Sequence, residues 1–512
     1  MTTTTENSKR IAKNTVLLYL RMLLMMAVQL YTSRVVLNAL GITDFGIYNA
    51  VGGFVMMFAV ISGSLSAAIS RFITFELGKG DVEKLTHIFS TAVIIQLLIG
   101  LIVIILGESV GVWFLNVQMN IPDSRMEAAN WVLQLSLLSF VINLISVPYN
   151  ACIIAHERMS AFAYIGLFEA GSKLLIAFLI LHAPFDRLVY YGLLTCAVAF
   201  MVRLIYGVYC KCHFAECHFQ WRFDRVLFRE IAGFAGWNFI GSSSGVLRDQ
   251  GVNMLINVFC GPAVNAARGI AMQVSAAVNS FATNFMMALN PQITKSYAQG
   301  NRDYMFTLVC QGSRLSFYLL LFLSMPILVE AHFILALWLK IVPEHAVAFV
   351  QLVLVYIMCE SISNPLVTLM LATGKIRNYQ ILVGGCQMLN FPIGYVLLKW
   401  NFAPETTVIA AIVIALLCLL ARLYMLRGMV GFPVRRFLWN TVSNVLFVGL
   451  LACMLPLWVV TLMPESFWRF VLVAVVSFIS VAVIVYFVGC NKEERGFVIN
   501  KVVLILKRIR NK

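Results

Sequence analysis

Apolar stretches of about 20 residues follow one another along almost the whole 512-residue chain, and this narrows the possible folds sharply. A helix of about 20 apolar residues crosses a bilayer core. Within hydrocarbon every backbone N–H and C=O must be paired inside the protein, which favours helices. Fourteen stretches qualify, near 14–40, 45–70, 86–107, 129–153, 160–182, 186–209, 232–258, 264–290, 306–329, 346–370, 379–399, 406–429, 438–463 and 466–489. What lies between them is too short for a soluble domain. Composition agrees, with 61% hydrophobic and 12% charged residues against roughly 25% charged in ordinary soluble domains. The expected fold class is an all-α polytopic membrane protein with about 14 transmembrane helices.

The net charge of +15 would suggest nucleic-acid binding in a soluble protein, but here its distribution matters more. Placing the N-terminus in the cytoplasm collects most Lys and Arg on one side, as the positive-inside rule requires. That side carries "KGDVEK" at 79–84, Lys211, Arg222, Arg225 and Arg229, "GFPVRR" at 431–436, and the tail residues Lys492, Lys507, Arg508 and Arg510. Both termini are therefore expected to be cytoplasmic, with attraction to anionic lipids as a second effect and no role in nucleic-acid binding. The polar, basic start precedes an apolar run too long for a removable signal peptide, so the first helix is expected to stay. The end, "GFVINKVVLILKRIRNK" (496–512), is too short to span and reads as a cationic interfacial helix.

An internal repeat organises the chain. "SVPYNACIIAHER" at 146–158 returns in "SNPLVTLMLATGK" at 363–375, pairing Ser146 with Ser363, Pro148 with Pro365, Ala155 with Ala372 and Arg158 with Lys375. "RFITFELGKG" at 71–80 returns in "PQITKSYAQG" at 291–300. Two matches in the same order argue for duplicated halves. Six spans lie within one repeat, so the second half has the same orientation as the first. Parallel repeats are one of the two common plans of secondary transporters. The expected domains are a six-helix lobe at 1–210, a second at 230–430, extra helices at 437–490 and a basic tail at 491–512. Pro148 and Pro365 each remove a helix hydrogen bond in equivalent spans and are candidate gating kinks.

Charges inside the spans point to the site. A basic residue at a helix centre costs about 2.5–3.5 kcal/mol on insertion scales. Arg203, Arg314 and Arg422 lie near span ends and are expected to snorkel, and Lys173 has Glu169 one turn earlier. Arg21, Arg34, Arg248 and Arg268 remain. Asp249 adjoins Arg248 but is about 100° away around a helix, so it is not expected to neutralise that charge. Few carboxylates lie within spans, chiefly Glu169, Asp249 and Glu360. The four arginines are therefore candidate cations of a central cavity that receives an anionic substrate, where guanidinium offers bidentate contacts to phosphate. The small residues of "GSSSG" (241–245) and "SGSLSAAIS" (62–70) suit close helix approach or a sugar path.

No catalytic triad order and no nucleotide-binding loop is present, so no enzyme activity and no cofactor is expected. "CKCHFAECH" (210–218) lacks the paired C-x-x-C of zinc modules, and the expected metal set is none.

With these features in hand, the segments "SNPLVTLMLATGKIRNYQ" and "LNALGITDFGIYNAVGGF" make the chain resemble bacterial polysaccharide-transport proteins of the Wzx type, the O-antigen or capsule repeat-unit flippases. These belong to the multidrug/oligosaccharidyl-lipid/polysaccharide (MOP) exporter superfamily, together with MATE exporters and the lipid II flippase. The resemblance implies a MATE-like pair of lobes plus two C-terminal helices in the inner membrane. It also implies flipping of an undecaprenyl-pyrophosphate-linked oligosaccharide by alternating access, driven by an ion gradient and working beside polysaccharide assembly proteins. The resemblance further implies that the last two helices shape a lipid-facing groove for the polyprenyl tail. A MATE-type drug exporter shares the fold but is expected to favour cavity carboxylates, and a repeat-unit polymerase is expected to carry a larger outer loop.

Overall fold

The computed structural model describes residues 2–56, 58–118, 121–220, 224–339, 342–491 and 494–496. Most of the expected interfacial tail (496–512) lies outside the described residues. Among those described there is helix and no strand.

The helices are α1 (Thr2–Met56), α2 (Ala59–Lys79), α3 (Val82–Val117), α4 (Met126–Ala155), α5 (Met159–Leu179), α6 (Arg187–His213), α7 (Arg225–Cys260), α8 (Pro262–Ala298), α9 (Arg302–Val329), the short α10 (Ala331–Leu339), α11 (Ala346–Thr373), α12 (Arg377–Lys399), α13 (Thr406–Val430), α14 (Val434–Leu462) and α15 (Phe467–Gly489). Each of the fourteen apolar stretches is helical. Eleven helices among the described residues are long and apolar enough to cross a membrane. The second stretch, spread over the end of α1 and α2, and those in α7 and α8 fall short in composition rather than length. They carry the "GSSSG" and "SGSLSAAIS" runs and the charges Arg248, Asp249 and Arg268.

The chain divides into two compact units, Met1–Ser243 with Met287–Asn301, and Ser244–Met286 with Arg302–Lys512. In the first, α4 is the hub and packs on α1, α2, α3, α5 and α6. In the second, α11 packs on α9 and α13, while α14 and α15 pack on each other and on α9.

The duplication shows in the backbone. Left-handed residues recur at matching places: Gly41 (φ 80°) and Gly261 (φ 84°), Gly80 (φ 81°) and Gly300 (φ 73°), Glu157 (φ 57°) and Gly374 (φ 75°). A left-handed residue stops a helix cleanly and is usually glycine, which has no Cβ to clash. Gly41 divides α1 between the first two sequence spans. Glu157 ends α4 in the conformation that Gly374 adopts after α11, at a cost of roughly 1–2 kcal/mol for a residue with a Cβ.

That cost has a local return. The Glu157 carboxylate, 1% exposed, takes hydrogen bonds from Arg10 Nε (2.7 Å), Gln292 Nε2 (2.7 Å) and Lys295 Nζ (3.0 Å). Its carbonyl accepts from Asn14 Nδ2. The turn after α4 is thereby clasped to α1 and to the last turns of α8.

Pro148 and Pro365 are buried inside helices that continue through them. Lys173 pairs with Glu169 at 2.6 Å, as the sequence spacing suggests. Arg203 stacks on Tyr149. Arg314 does not snorkel: it is buried and ion-paired to Glu494 at 2.7 Å. Arg422, likewise buried, lies 3.4 Å from the Tyr379 hydroxyl. Arg314 stays inward because a carboxylate close by satisfies its guanidinium, whereas Arg422 has only the Tyr379 hydroxyl and keeps a buried Nη1 without a partner. In the 210–218 loop Cys210 and Cys217 are buried, and Glu216 binds His156 rather than joining the cysteines.

Candidate functional site

Two of the four candidate arginines share one cavity. Arg248 on α7 and Arg268 on α8 line one cavity of about 310 Å³ in the second unit. Arg21 packs in the first unit, its guanidinium 4.1 Å from the Phe162 ring centre. A Cβ at Gly166 would stand 2.1 Å from its Nε. Arg34 lies on α1, and its side chain is outside the described residues.

Arg248 and Asp249 form a two-pronged pair, with Nε to Oδ1 at 2.9 Å and Nη2 to Oδ2 at 3.0 Å. This corrects the expectation that Asp249 leaves Arg248 unneutralised. The 100° between successive Cβ atoms is real, but the arginine stem and the aspartate rotamer close the gap. The guanidinium also faces the Tyr356 ring at 5.4 Å.

Arg268 is different. It is 7% exposed, and its Nη1 donates to the Asp249 carbonyl (3.2 Å) and to Asn253 Oδ1 (3.0 Å), both neutral acceptors. Its Nε is buried with no hydrogen-bond partner. A buried donor to which nothing is bonded costs about 1–3 kcal/mol, more for a charged group. Asn390 Oδ1, an acceptor on a cavity-lining residue, is likewise buried and unpartnered.

Further polar lining groups include Glu360 and Asn364 on α11, Ser275 and Asn279 on α8, and Thr407 on α13. Sequence reading found the two arginines and noted Asp249 and Glu360 as rare intramembrane acids, but not Tyr356, Asn364, Asn390 or Thr407. Asn364 sits inside the repeat, where its counterpart is the apolar Val147, so a polar residue gained in one copy was the available signal. The cavity is charge-balanced rather than positive, since two guanidiniums face two carboxylates. Of the two cations, Arg268 has no carboxylate bonded to it. A site of this kind can hold an anionic group together with hydroxyls, which donate and accept at once.

The fold is that of the MATE transporters. A multidrug resistance MATE family transporter of the MOP superfamily in an outward-facing conformation superposes with a TM-score of 0.72 at 12% identity, covering 83% of this chain and 97% of that one. MATE in the bent conformation gives 0.72 at 13%, covering 83% and 96%. A MOP superfamily transporter from Pyrococcus furiosus gives 0.71 at 12%, covering 83% and 96%. Residues 18–179 match the MatE family model. No curated protein matches the sequence. With the MATE fold and eleven helices among the described residues that are long and apolar enough to cross a bilayer, the chain is built as a multi-pass membrane protein.

Proposed function

We propose that the protein is a flippase that carries a polyprenyl-pyrophosphate-linked oligosaccharide across the bacterial inner membrane for surface polysaccharide synthesis. The observation that supports this reading is Arg268: a buried guanidinium, hydrogen-bonded only to neutral acceptors, with a spare N–H beside a cavity rich in amides and hydroxyls. An anionic group completes its hydrogen bonding, and sugar hydroxyls match Asn279, Asn364, Asn390 and Thr407. At about 310 Å³ the cavity is at the lower end of ligand pockets, roughly 300–1,000 Å³, so it grips one part of a large amphiphile. The lipid tail stays in the bilayer while the polar head crosses. The MOP superfamily transporter from Pyrococcus furiosus, described as having a binding pocket of reverse polarity that suggests a different function, is a precedent for departures from drug export on this fold.

A second reading, an ion-coupled exporter of organic cations, is favoured by Asp249 and Glu360 in the same cavity. Deleting the gene and analysing the lipid fraction separates the two. A flippase leaves a lipid-linked saccharide accumulating on the inner leaflet. An exporter leaves that pool unchanged and sensitises the cell to cationic dyes.

A further inference from the structure

A second and larger cavity, about 930 Å³, lies in the second unit between the end of α13 and the start of α14. Its walls carry Arg427, Arg435, Arg436, Trp439 and Asn440. All three arginines are exposed, and among the described residues no carboxylate lines the cavity. None of the three side chains makes a hydrogen bond or ion pair among the described residues, in contrast to Arg125, Arg248, Arg314 and Arg469, each of which binds a carboxylate.

The frame beneath is fixed. Gly431, left-handed at φ 70°, ends α13 and turns the chain, its amide donating to the Arg427 carbonyl. Phe432 and Phe437, 2% and 0% exposed, anchor both sides of the turn, and Phe432 meets Phe306 edge-on. The cavity thus opens where two apolar spans meet polar solvent, on the side expected to face the cytoplasm. Trp439, 77% exposed, stands at that level, as tryptophans do at the boundary between acyl chains and headgroups.

We propose that this cavity binds the phosphate headgroup of a resident anionic phospholipid of the inner leaflet. Three unneutralised guanidiniums offer forked donors to phosphate oxygens. Trp439 contacts the upper acyl chain and glycerol, and the lack of acidic lining residues among the described residues disfavours zwitterionic headgroups bearing an ammonium. The occupant is a membrane lipid rather than a free anion, because the helix turns that line the cavity also carry the exposed apolar side chains Tyr424 and Leu438. This site is separate from the Arg268 cavity and stands whether or not the protein flips saccharides.

The test is native mass spectrometry of the full-length protein in detergent, titrated with phosphatidylglycerol, phosphatidylethanolamine or inorganic phosphate. Each basic residue near an anionic lipid surface contributes about 1 kcal/mol, which is about fivefold in affinity. R427Q/R435Q/R436Q should therefore bind phosphatidylglycerol about 100-fold more weakly than the parent. R435Q/R436Q should lose about 25-fold, and serves alone if the triple variant does not insert. W439A should weaken phosphatidylglycerol binding without creating a preference for phosphatidylethanolamine. Retention of phosphatidylglycerol at parental affinity by the arginine variants overturns the proposal. So does equal retention of phosphatidylethanolamine, and so does inorganic phosphate competing as effectively as the lipid.

Discussion

Replacing Glu157 tests whether the clasp after α4 holds the first unit together. Glu157→Gln keeps the shape and the hydrogen bond with Gln292 but leaves Lys295 without its anion. Removing one partner of a buried ion pair costs roughly 3–5 kcal/mol. Lys295 is 20% exposed and recovers part of this from water, while Arg10, half exposed, adds only about 0–1 kcal/mol. The expected loss is about 2–4 kcal/mol, read as unfolding free energy in mixed micelles. Because most of it arises from the stranded ammonium, E157Q/K295M should be more stable than E157Q alone. The backbone gives an independent arm: E157A and E157G both delete the carboxylate, yet glycine relieves the left-handed strain, so E157G should be the more stable by about 1–2 kcal/mol. A loss under about 0.5 kcal/mol in E157Q, with no rescue by K295M, would refute the claim that burial makes this pair strong.

G166A should push the Arg21 guanidinium off the Phe162 ring, since its Cβ meets Arg21 Nε at 2.1 Å, at a cost of about 0.5–2 kcal/mol, and in the R21A background the same change should cost less in a thermal-shift assay. Asp186 caps α6 and binds Arg125. Burial pushes its carboxyl up, but the Arg125 guanidinium and the amides of Val189 and Leu188 outweigh this and hold it below the usual carboxylate range. The sign follows: the stabilisation is complete above the unfolded value of about 3.9 and is lost as pH falls through the lower folded value. The melting temperature should drop below about pH 4, and D186N should start lower at pH 7 and fall less over that range. D249N should weaken the hold on Arg248, which makes two bonds to that carboxylate, and lower transport while leaving insertion intact.

The spans were legible because apolar length is a one-dimensional property and the bilayer sets its scale. The repeat was legible at Pro148 and Pro365 and in the Ile-Thr pairs, yet its strongest marks are the left-handed turns. Gly41 and Gly261 lie in dissimilar sequence, "ALGIT" and "FCGPA", and Glu157 hides its place because a glutamate stands where the second copy has glycine. Arg248 and Arg268 were found because charge is scarce and expensive in a span. The Arg248–Asp249 pairing was missed because helical angles describe where Cβ atoms start, not where a four-atom stem ends. Asn390 and Thr407 were not found because polar residues on lipid-facing and cavity-facing sides look alike until helices are packed.

The most direct test of the proposed function is flipping by purified protein in liposomes. A labelled polyprenyl-pyrophosphate oligosaccharide is placed in one leaflet, and its arrival in the other is scored by a membrane-impermeant glycosidase. A hydrogen bond to a charged group contributes about 1.5–3 kcal/mol, so R268A should lower flipping about 10- to 100-fold, with R268K intermediate because lysine supplies charge without the planar fork. Wild-type flipping by R268A at equal reconstitution would contradict the account, as would liposomes that move a quaternary ammonium dye and leave the lipid-linked saccharide where it was placed.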